Sequence, residues 1–356
     1  MLSITKSKPL VGLDISTSSI KLVELASDRS GYRVESYAAE AMPEGAITDK
    51  AITDIDACGE ALKKALRRSG SHAREAAIAI GGPSVITKTI IMPAQLSDEE
   101  RAQQVELQAD QHIPFPIEEV RFDFSVLGPT AGYEDMVDVL LVATRSENVE
   151  QRQAVLDLAG LTARVVDTEA YAAETACELM AYQMPDEGRE QTVALVDFGA
   201  TSTTFSVLED RKVVYTRELA FGGRQLTEEI MRHYGLSFEE AGRAKKVGGL
   251  PGSYEREILA PFINDMAQQV SRSMQFYLTS TNTGDNLSQI LISGGCAALP
   301  GAAERIGERL NTPTVIGDPT AQMALSSRAR AQMTEGVGPS LVVACGLALR
   351  AFDKGR

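Results

Sequence analysis

Two distant stretches of this 356-residue chain share one pattern of apolar and polar positions. In each, an apolar run ends in an acidic residue, small and hydroxyl residues follow, and an alternating run leads back, at residues 11–25 and 194–208. Strict alternation indicates a half-buried strand, and small residues between two strands indicate a tight turn. Each stretch therefore predicts a β-hairpin, which a further alternating run extends to a three-stranded meander at 32–40 and 212–219.

The similarity continues beyond the predicted meanders. In the first half a helix is predicted at 55–68, and a short apolar strand at 76–82 ends in a pair of glycines. In the second half, helices fill the span to about residue 279, and the apolar strand at 289–295 also contains a glycine pair. The same order of elements occurs twice, which predicts two duplicated domains of α/β class.

A segment between residues 84 and 166 interrupts the duplication. We predict that it is a small α+β insert with its own core, formed by strands and helices that alternate along the segment. The rigid, apolar run at 113–117 contains two prolines and is interpreted as a loop packed under the sheet, with a partner-binding rim as the alternative. The predicted strands are 85–92, 121–127, 137–144 and 162–167, and the predicted helices begin at Ser97 and span 146–159.

Capping chemistry places several helix ends. Ser97 with Glu100, and Ser237 with Glu240, have the spacing of a capping box, in which the two side chains satisfy each other's backbone N–H groups. Pro261 lies near the start of a long periodic stretch, where it is expected to kink or divide the helix because it lacks a backbone N–H.

Composition and charge exclude several classes of function. Charged residues make up 24% of the chain and hydrophobic residues 44%, which is typical of a globular protein, and the length predicts two domains or more. The net charge of −14 argues against binding to nucleic acid or anionic lipid. No apolar run is long enough to cross a bilayer, and residues 1–9 lack the features of a signal peptide, so no direct membrane insertion is expected.

The cysteines and histidines predict no metal or catalytic site. Neither set shows the spacing of metal ligands, redox pairs or hydrolytic residues. The sequence therefore indicates buried, reduced thiols in a cytosolic protein and no chemistry on the histidines. The cysteines are Cys58, Cys177, Cys296 and Cys345, and the histidines are His72, His112 and His233.

The chemistry instead concentrates in the two predicted hairpin turns. A turn of small residues exposes consecutive backbone N–H groups that suit phosphate oxygens, and the hydroxyl groups around it add further donors. The aspartate at the end of each first strand, Asp14 or Asp197, can hold the accompanying metal ion. Facing one another, the turns would clamp one polyphosphate. The alternative for each aspartate is stabilisation of its own turn.

This order of elements resembles that of the actin-like ATPase superfamily, whose fold consists of two duplicated ribonuclease-H-like domains. The resemblance implies ATP and Mg²⁺ as cofactors, with Asp14 and Asp197 on the metal and Lys21 on phosphate; an exposed strand lysine is the alternative for Lys21. It implies further nucleotide contacts from both turns, from the strand with the glycine pair and from the neighbouring helices. These contacts are Ser16, Thr17, Ser18, Ser19, Gly199, Ala200, Thr201, Ser202, Gly223, Lys245, Gly294 and Gly295.

The same resemblance implies the domain boundaries. The first domain would cover residues 1–83 and would be completed by a C-terminal helix at 339–353. The insert would follow at 84–166, a connecting helix at 167–189 and the second domain at 190–338.

The position of the insert indicates which branch of the superfamily the chain resembles. An insert after the first glycine-pair strand is typical of the FtsA and PilM branch of the superfamily, and the chain most resembles the PilM family of type IV pilus assembly proteins. FtsA proteins usually end in an amphipathic membrane-binding helix, whereas this sequence stops just beyond the predicted C-terminal helix, which favours PilM. The residues that carry this similarity are 11–25, 111–116, 221–227 and 323–327.

The PilM resemblance implies a cytosolic, ATP-binding adaptor of the pilus machine that is peripheral to the inner membrane through its partners. The implied partner is the cytoplasmic N-terminal tail of PilN, bound in a groove between the first domain and the insert. The PilN/PilO inner-membrane complex and the pilus motor ATPases are the wider partners. Nucleotide would fix the angle between the two halves.

The sequence departs from the superfamily at three positions that bear on hydrolysis. Ser16 and Thr201 stand where most relatives have glycine, and Gly242 stands where many have a glutamate for the ribose. We therefore expect ATP binding with weak or no ATPase activity. Glu169 and Asp197 are the candidate catalytic residues, Glu169 to orient a water molecule and Asp197 through the metal. A surface salt bridge is the alternative for Glu169.

Two other functions remain open from the sequence alone. One is an FtsA-like filament-forming ATPase, and the other is a small-molecule kinase of the same fold. A kinase needs an acidic base beside its acceptor pocket, and no convincing aspartate motif occurs at 81–92.

Overall fold

The structure, a computed structural model, describes residues 9–28, 31–281 and 287–353. Residues 1–8, where no signal peptide is expected, and residues 354–356 at the end of the sequence lie outside this part. The first elements in the chain form a meander, a small hairpin, a helix and a further strand. They are β1 Leu10–Ile15, β2 Ser19–Asp28, β3 Gly31–Ala41, β4 Ile47–Thr48, β5 Ala51–Ile52, α1 Ile55–Ser69 and β6 Glu75–Ile80.

The central part of the chain contains the insert and the connection to the second half. Its elements are β7 Ile86–Pro93, α2 Asp98–His112, β8 Val120–Pro129, β9 Met136–Arg145, α3 Ser146–Leu158, β10 Thr162–Thr168 and α4 Glu169–Met180.

The second half repeats the meander, adds more helices and ends in a helix that returns to the first half. Its strands are β11 Thr192–Phe198, β12 Thr203–Glu209, β13 Lys212–Leu219, β14 Gln289–Ser293, β15 Thr314–Ile316 and β16 Ala324–Leu325. Its helices are α5 Gly223–Tyr234, α6 Phe238–Val247, α7 Ala260–Thr281, α8 Ala302–Leu310, α9 Ser327–Gln332 and α10 Val342–Leu349.

The two main sheets have matching topologies, which confirms the predicted duplication. The described strands of the first half have the order β10-β6-β1-β2-β3-β16, and those of the second half have the order β13-β12-β11-β14-β15. In each sheet the meander is antiparallel, and the first meander strand pairs in parallel with the glycine-pair strand, β1 with β6 and β11 with β14.

Strand β1 is buried along its whole length because helices cover both faces of its sheet. Leu13 and Ile15 pack with α1 in one hydrophobic cluster, and α10 lies on the opposite face. Gly12 permits the close approach of α10, since a Cβ there would overlap the backbone of Ala344 and Ala348. The first half of the chain is thus closed by a helix from its far end.

Helices α4 and α10 cross between the two sheets. Ala176, Cys177 and Met180 of α4 pack on the second sheet, whereas Ala344 and Ala348 of α10 pack on the first. Both helices are rich in small residues where they meet, which lets their backbones approach closely.

The apolar contacts and strand pairing favour a smaller insert than the predicted 84–166. Its three-stranded sheet, β7-β9-β8, shares a core with α2, and Ile113 and Ile117 of the proline-rich run contact that core as predicted for a packed loop. In contrast, β10 pairs with β6 in the first main sheet, and Val155 and Leu156 of α3 pack against α1. We therefore propose 84–145 as the insert and assign α3 and β10 to the first domain, because apolar contacts place them there.

The predicted helix ends agree with the structure. Ser97 with Glu100 and Ser237 with Glu240 both form complete capping boxes. One turn of π-helix, Glu255–Leu259, leads directly into α7, so the long helix changes its hydrogen-bond pattern just before Pro261.

Candidate functional site

The two hairpin turns face each other across the gap between the halves. The Thr201 hydroxyl donates to the Thr17 hydroxyl at 3.4 Å, although the residues are 184 positions apart in the chain. Each turn is closed by the same backbone bond: Ser16 N–H to Ser19 C=O at 3.1 Å in the first, and Gly199 N–H to Ser202 C=O at 3.0 Å in the second. The duplication therefore extends to individual hydrogen bonds.

Each turn leaves two backbone N–H groups available to a ligand in the described part of the chain. The N–H groups of Thr17, Ser18, Ala200 and Thr201 donate to no backbone carbonyl there. The Ser16 hydroxyl, in contrast, already donates to Ser19 C=O at 2.9 Å. Such paired sets of N–H groups suit the oxygens of a polyphosphate.

Two aspartates and one lysine form the floor of the site. Asp14 and Lys21 are directly opposite each other on β1 and β2, and the Lys21 Nζ lies 2.6 Å from the Asp14 Oδ2. Burial by itself would lower the pKa of Lys21, but the charges of Asp14 and Asp197 outweigh it, and the pKa is raised. Lys21 is thus paired with Asp14, is influenced by the charge of Asp197 from the other half, and is not an exposed strand lysine.

Asp197 is the acidic group that the second half contributes to the floor. Burial raises the pKa of its carboxyl, Lys21 opposes that shift and Asp14 adds to it. The Ser293 hydroxyl, at the end of β14, donates to the Asp197 Oδ1 at 3.0 Å. The charge of Lys21 acts on both Asp14 and Asp197, and a divalent cation could also neutralise two such carboxylates, so the donor set fits a magnesium ion.

The loop after β14 approaches the second turn closely. Gly294 has φ 86°, and a Cβ there would lie 2.6 Å from the Phe198 carbonyl carbon and 2.8 Å from the Asp197 Oδ1. At Gly295, in contrast, a Cβ would meet nothing within 4 Å. Glycine is therefore required at the first position by the backbone, while the second borders open space.

Helix α5 is attached to the second turn by its first residues. Gly223 N–H donates to Gly199 C=O at 3.0 Å, and Lys245 Nζ donates to Gly223 C=O at 2.8 Å and to the Thr227 hydroxyl at 2.7 Å. Burial lowers the pKa of Lys245. The structure thus brings Lys245 to the predicted nucleotide region, where its amine already holds the start of α5.

Glu169 lies beneath the turns at the start of α4. Its carboxylate accepts a hydrogen bond from Lys50 Nζ at 2.6 Å, so the salt bridge considered from sequence is present, but it is largely buried and not at the surface. Glu169 and Asp197 also line one cavity of about 20 Å³, together with Thr204 and Ser206. That volume matches a single water molecule.

Three residues of this region were missed by sequence reasoning. Lys50 lies in the β4–β5 turn, Glu218 in β13 and Arg152 in α3, and none belongs to a recognisable motif. The sequence indicates the turn only weakly, and in the structure Asp49 and Lys50 both have positive φ. Such a turn does not predict an ion-pair partner.

The family of the chain follows from a match along nearly its whole length. The family described as type IV pilus assembly protein PilM matches residues 12–352. The chain belongs to the PilM family. A solved PilM–PilN type IV pilus biogenesis complex is similar to it, with a TM-score of 0.80 at 26% sequence identity over 97% of this chain and 98% of that one. The PilM and actin-like predictions are therefore confirmed.

More distant relatives include the FtsA branch. The cell division protein FtsA of Agrobacterium fabrum is 24% identical over 246 residues, which span 62% of this chain and 53% of FtsA. FtsA of Bacillus subtilis is 23% identical over 351 residues, 87% of this chain and 78% of FtsA. The chain thus aligns with only about half of the first of these relatives, and the PilM match is the more complete.

The actin-like fold is also shared with a more distant protein of known structure. MreB5 of Spiroplasma citri, solved with AMPPNP bound, has a TM-score of 0.52 at 12% identity and covers 98% of this chain and 97% of that one. This likeness shows the fold alone. In the PilM-family chain itself, no helix within the described residues is long and apolar enough to span a membrane.

Proposed function

We propose that this PilM-family protein binds Mg²⁺–ATP between its two halves and acts as an adaptor in pilus assembly. The observation that carries the nucleotide proposal is the pair of opposed turns, joined at Thr17 and Thr201, above an Asp14–Lys21–Asp197 floor. The turn N–H groups and Lys21 would hold the phosphates, and Asp14 and Asp197 would hold magnesium. The remaining predicted contacts would receive the nucleoside on the second half.

Slow hydrolysis is the expected behaviour of this site. Magnesium supplies charge neutralisation on the phosphates when bound. Glu169 is the candidate to orient the attacking water, but its carboxylate is neutralised by Lys50. A carboxylate in an ion pair is a weak proton acceptor, so the geometry favours ATP as a conformational ligand over ATP as a rapidly consumed substrate.

The proposed partner is the cytoplasmic N-terminal tail of PilN, with the protein held at the inner membrane through the PilN/PilO complex and the pilus motor ATPases as wider partners. The similar structure is that of a complex with PilN, which supports this proposal. A tail bound between the first domain and the insert would act on the same domain that carries Asp14 and Lys21. Any coupling between tail and nucleotide must then be reciprocal.

The test is a titration of synthetic PilN tails into the purified protein, with and without Mg²⁺–ATP, using scrambled peptides as controls. We expect specific tail binding and a change in its affinity when nucleotide is present. Fluorescent ATP binding should require magnesium in the wild type and should weaken at least about tenfold in Asp14→Asn. The absence of tail binding under both conditions would refute the adaptor role.

A second candidate is an FtsA-like filament-forming ATPase, favoured by the alignment with FtsA of Bacillus subtilis over most of both chains. Sedimentation with ATP distinguishes it, because filaments pellet and an adaptor does not. A kinase of the same fold would show steady-state turnover on the order of one per second with its acceptor. Such turnover would contradict the proposed conformational role of ATP.

A further inference from the structure

Lys50 makes an ion-pair network beneath the proposed nucleotide site. Its Nζ lies 2.6 Å from Glu169 Oε2 and 2.8 Å from Glu218 Oε1. Lys50 belongs to the first half, Glu169 begins the connecting helix α4, and Glu218 lies on β13 of the second half. One ammonium therefore joins three parts of the fold.

The network is largely shielded from water, and the charges support each other. The Lys50 side chain is 16% exposed, and burial alone would lower its pKa, but the two carboxylates outweigh burial and raise it. Lys50 therefore stays charged throughout the physiological range. Without it, Glu169 and Glu218 would be two carboxylates facing one site with no cation between them.

The backbone around the network is shaped to admit it. A Cβ on Gly81 would overlap the Glu169 carboxylate, and a Cβ on Gly82, whose φ is 69°, would lie 2.8 Å from Glu218 Oε2 and 3.0 Å from the Lys50 side chain. The glycine pair after β6, singled out in the sequence without a role, thus makes room for the three charged side chains.

A buried arginine holds the backbone of Lys50 in place. Arg152 Nε donates to Ala79 C=O at 3.0 Å, and its second terminal nitrogen donates to Lys50 C=O at 3.1 Å. The Arg152 side chain pairs with carbonyl groups instead of carboxylates, and its burial lowers its pKa. The β4–β5 turn is therefore anchored to the first half, so that the Lys50–Glu218 bond bears on the position of the second half.

We infer that Lys50 is a positioning residue that closes the cleft between the halves and orients Glu169 beneath the nucleotide. An exposed pair, Arg224 with Glu44 at 2.8 Å, also crosses the cleft, but Glu44 is 79% exposed and such pairs contribute little. The consequence for nucleotide retention rests on the proposed function, whereas closure of the cleft does not.

The test measures the distance between the halves directly. Spin labels at Lys64→Cys on α1 and Glu228→Cys on α5 report the separation by double electron–electron resonance. Both sites are exposed, whereas the four native cysteines are buried. In nucleotide-free protein we expect a longer and broader distance distribution in Lys50→Met and in Glu218→Gln. Lys50→Arg, which keeps the charge, should retain the wild-type distribution.

Lys63→Met is the matched control, because Lys63 loses a pair with Glu60 inside a single helix. With fluorescent ATP analogues, release of the nucleotide should be about tenfold faster in Lys50→Met and Glu218→Gln and unchanged in the control.

Wild-type distances and release rates in both variants would overturn the inference. If Lys50→Met fails to fold, Glu218→Gln decides the matter, since it removes only the bond across the cleft. If the wild-type protein itself does not bind ATP, the proposed function fails while the distances still test closure.

Discussion

The crossing of α4 and α10 offers the most direct test of how the two halves are held. Gly346 of α10 faces Ala172 of α4, and a Cβ on Gly346 would lie 2.6 Å from the Ala172 carbonyl carbon and nearer still to its oxygen. An ordinary carbon–carbon contact is about 3.5 to 4.0 Å. Gly346→Ala must therefore separate the two helices by roughly 1 Å or more.

Helix α10 has little room to move away from α4. On its other side, Ala344 and Ala348 lie so close to Gly12 of β1 that a Cβ on that glycine would overlap their backbone atoms. Since the obstruction on both sides is backbone, side-chain rotation cannot relieve it. Overpacking in cores typically costs about 1 to 3 kcal/mol, and we expect Gly346→Ala to reach the upper end, about 3 kcal/mol of unfolding free energy.

Equilibrium urea unfolding followed by circular dichroism measures this cost. Gly242→Ala is the control, because Gly242 lies inside α6 and a Cβ there meets nothing within 4 Å. The same chemical change should stabilise the protein there by about 0.5 to 1 kcal/mol, through the lower entropy and better helix propensity of alanine. A loss below about 1 kcal/mol in Gly346→Ala would refute the argument that the crossing is confined on both sides.

Three further predictions concern the site. The Asp197 carboxyl has a raised pKa in the folded chain, so its ionisation lowers the free energy of unfolding as pH rises above the unfolded pKa of 3.8. Asp197→Asn should therefore raise the urea midpoint at pH 7, yet weaken Mg²⁺–ATP binding at least about tenfold. Gly242→Glu places a carboxylate one turn before Lys245 and should tighten ATP binding about tenfold in fluorescence titrations, with Gly242→Gln as the uncharged control. Arg152→Met removes charged hydrogen bonds to the carbonyls of β6 and of the β4–β5 turn, and urea unfolding should show a loss of about 3 kcal/mol.

Much of the fold could be predicted because its signals are local. Apolar alternation at 11–25 and 194–208 is read within one hairpin, and the capping boxes at Ser97 and Ser237 are read within one helical turn. The extent of the insert could not be predicted in the same way. Helix α3 and strand β10 have ordinary periodicity, and only their apolar contacts with α1 and their pairing with β6 assign them to the first domain.

In the candidate site, too, local features could be predicted from the sequence and long-range contacts could not. The residue types in both turns indicated phosphate and metal chemistry, since the aspartates, hydroxyls and glycines act within a few positions of one another. The partner of Glu169 was not accessible, because Lys50 lies 119 positions earlier in a two-residue turn. Its role depends on three segments meeting at one point in space.

By itself, the sequence determined the duplicated meanders and the residue types of the two turns, because these depend on short-range periodicity and on residue chemistry, and its resemblance to a known family indicated the actin-like fold. Only the tertiary structure decided which charges neutralise one another between the halves, and how closely α10 approaches α4 and β1. Those features arise from the packing of distant backbone segments. There, the effect of a single glycine or lysine depends on atoms that are far away in the sequence.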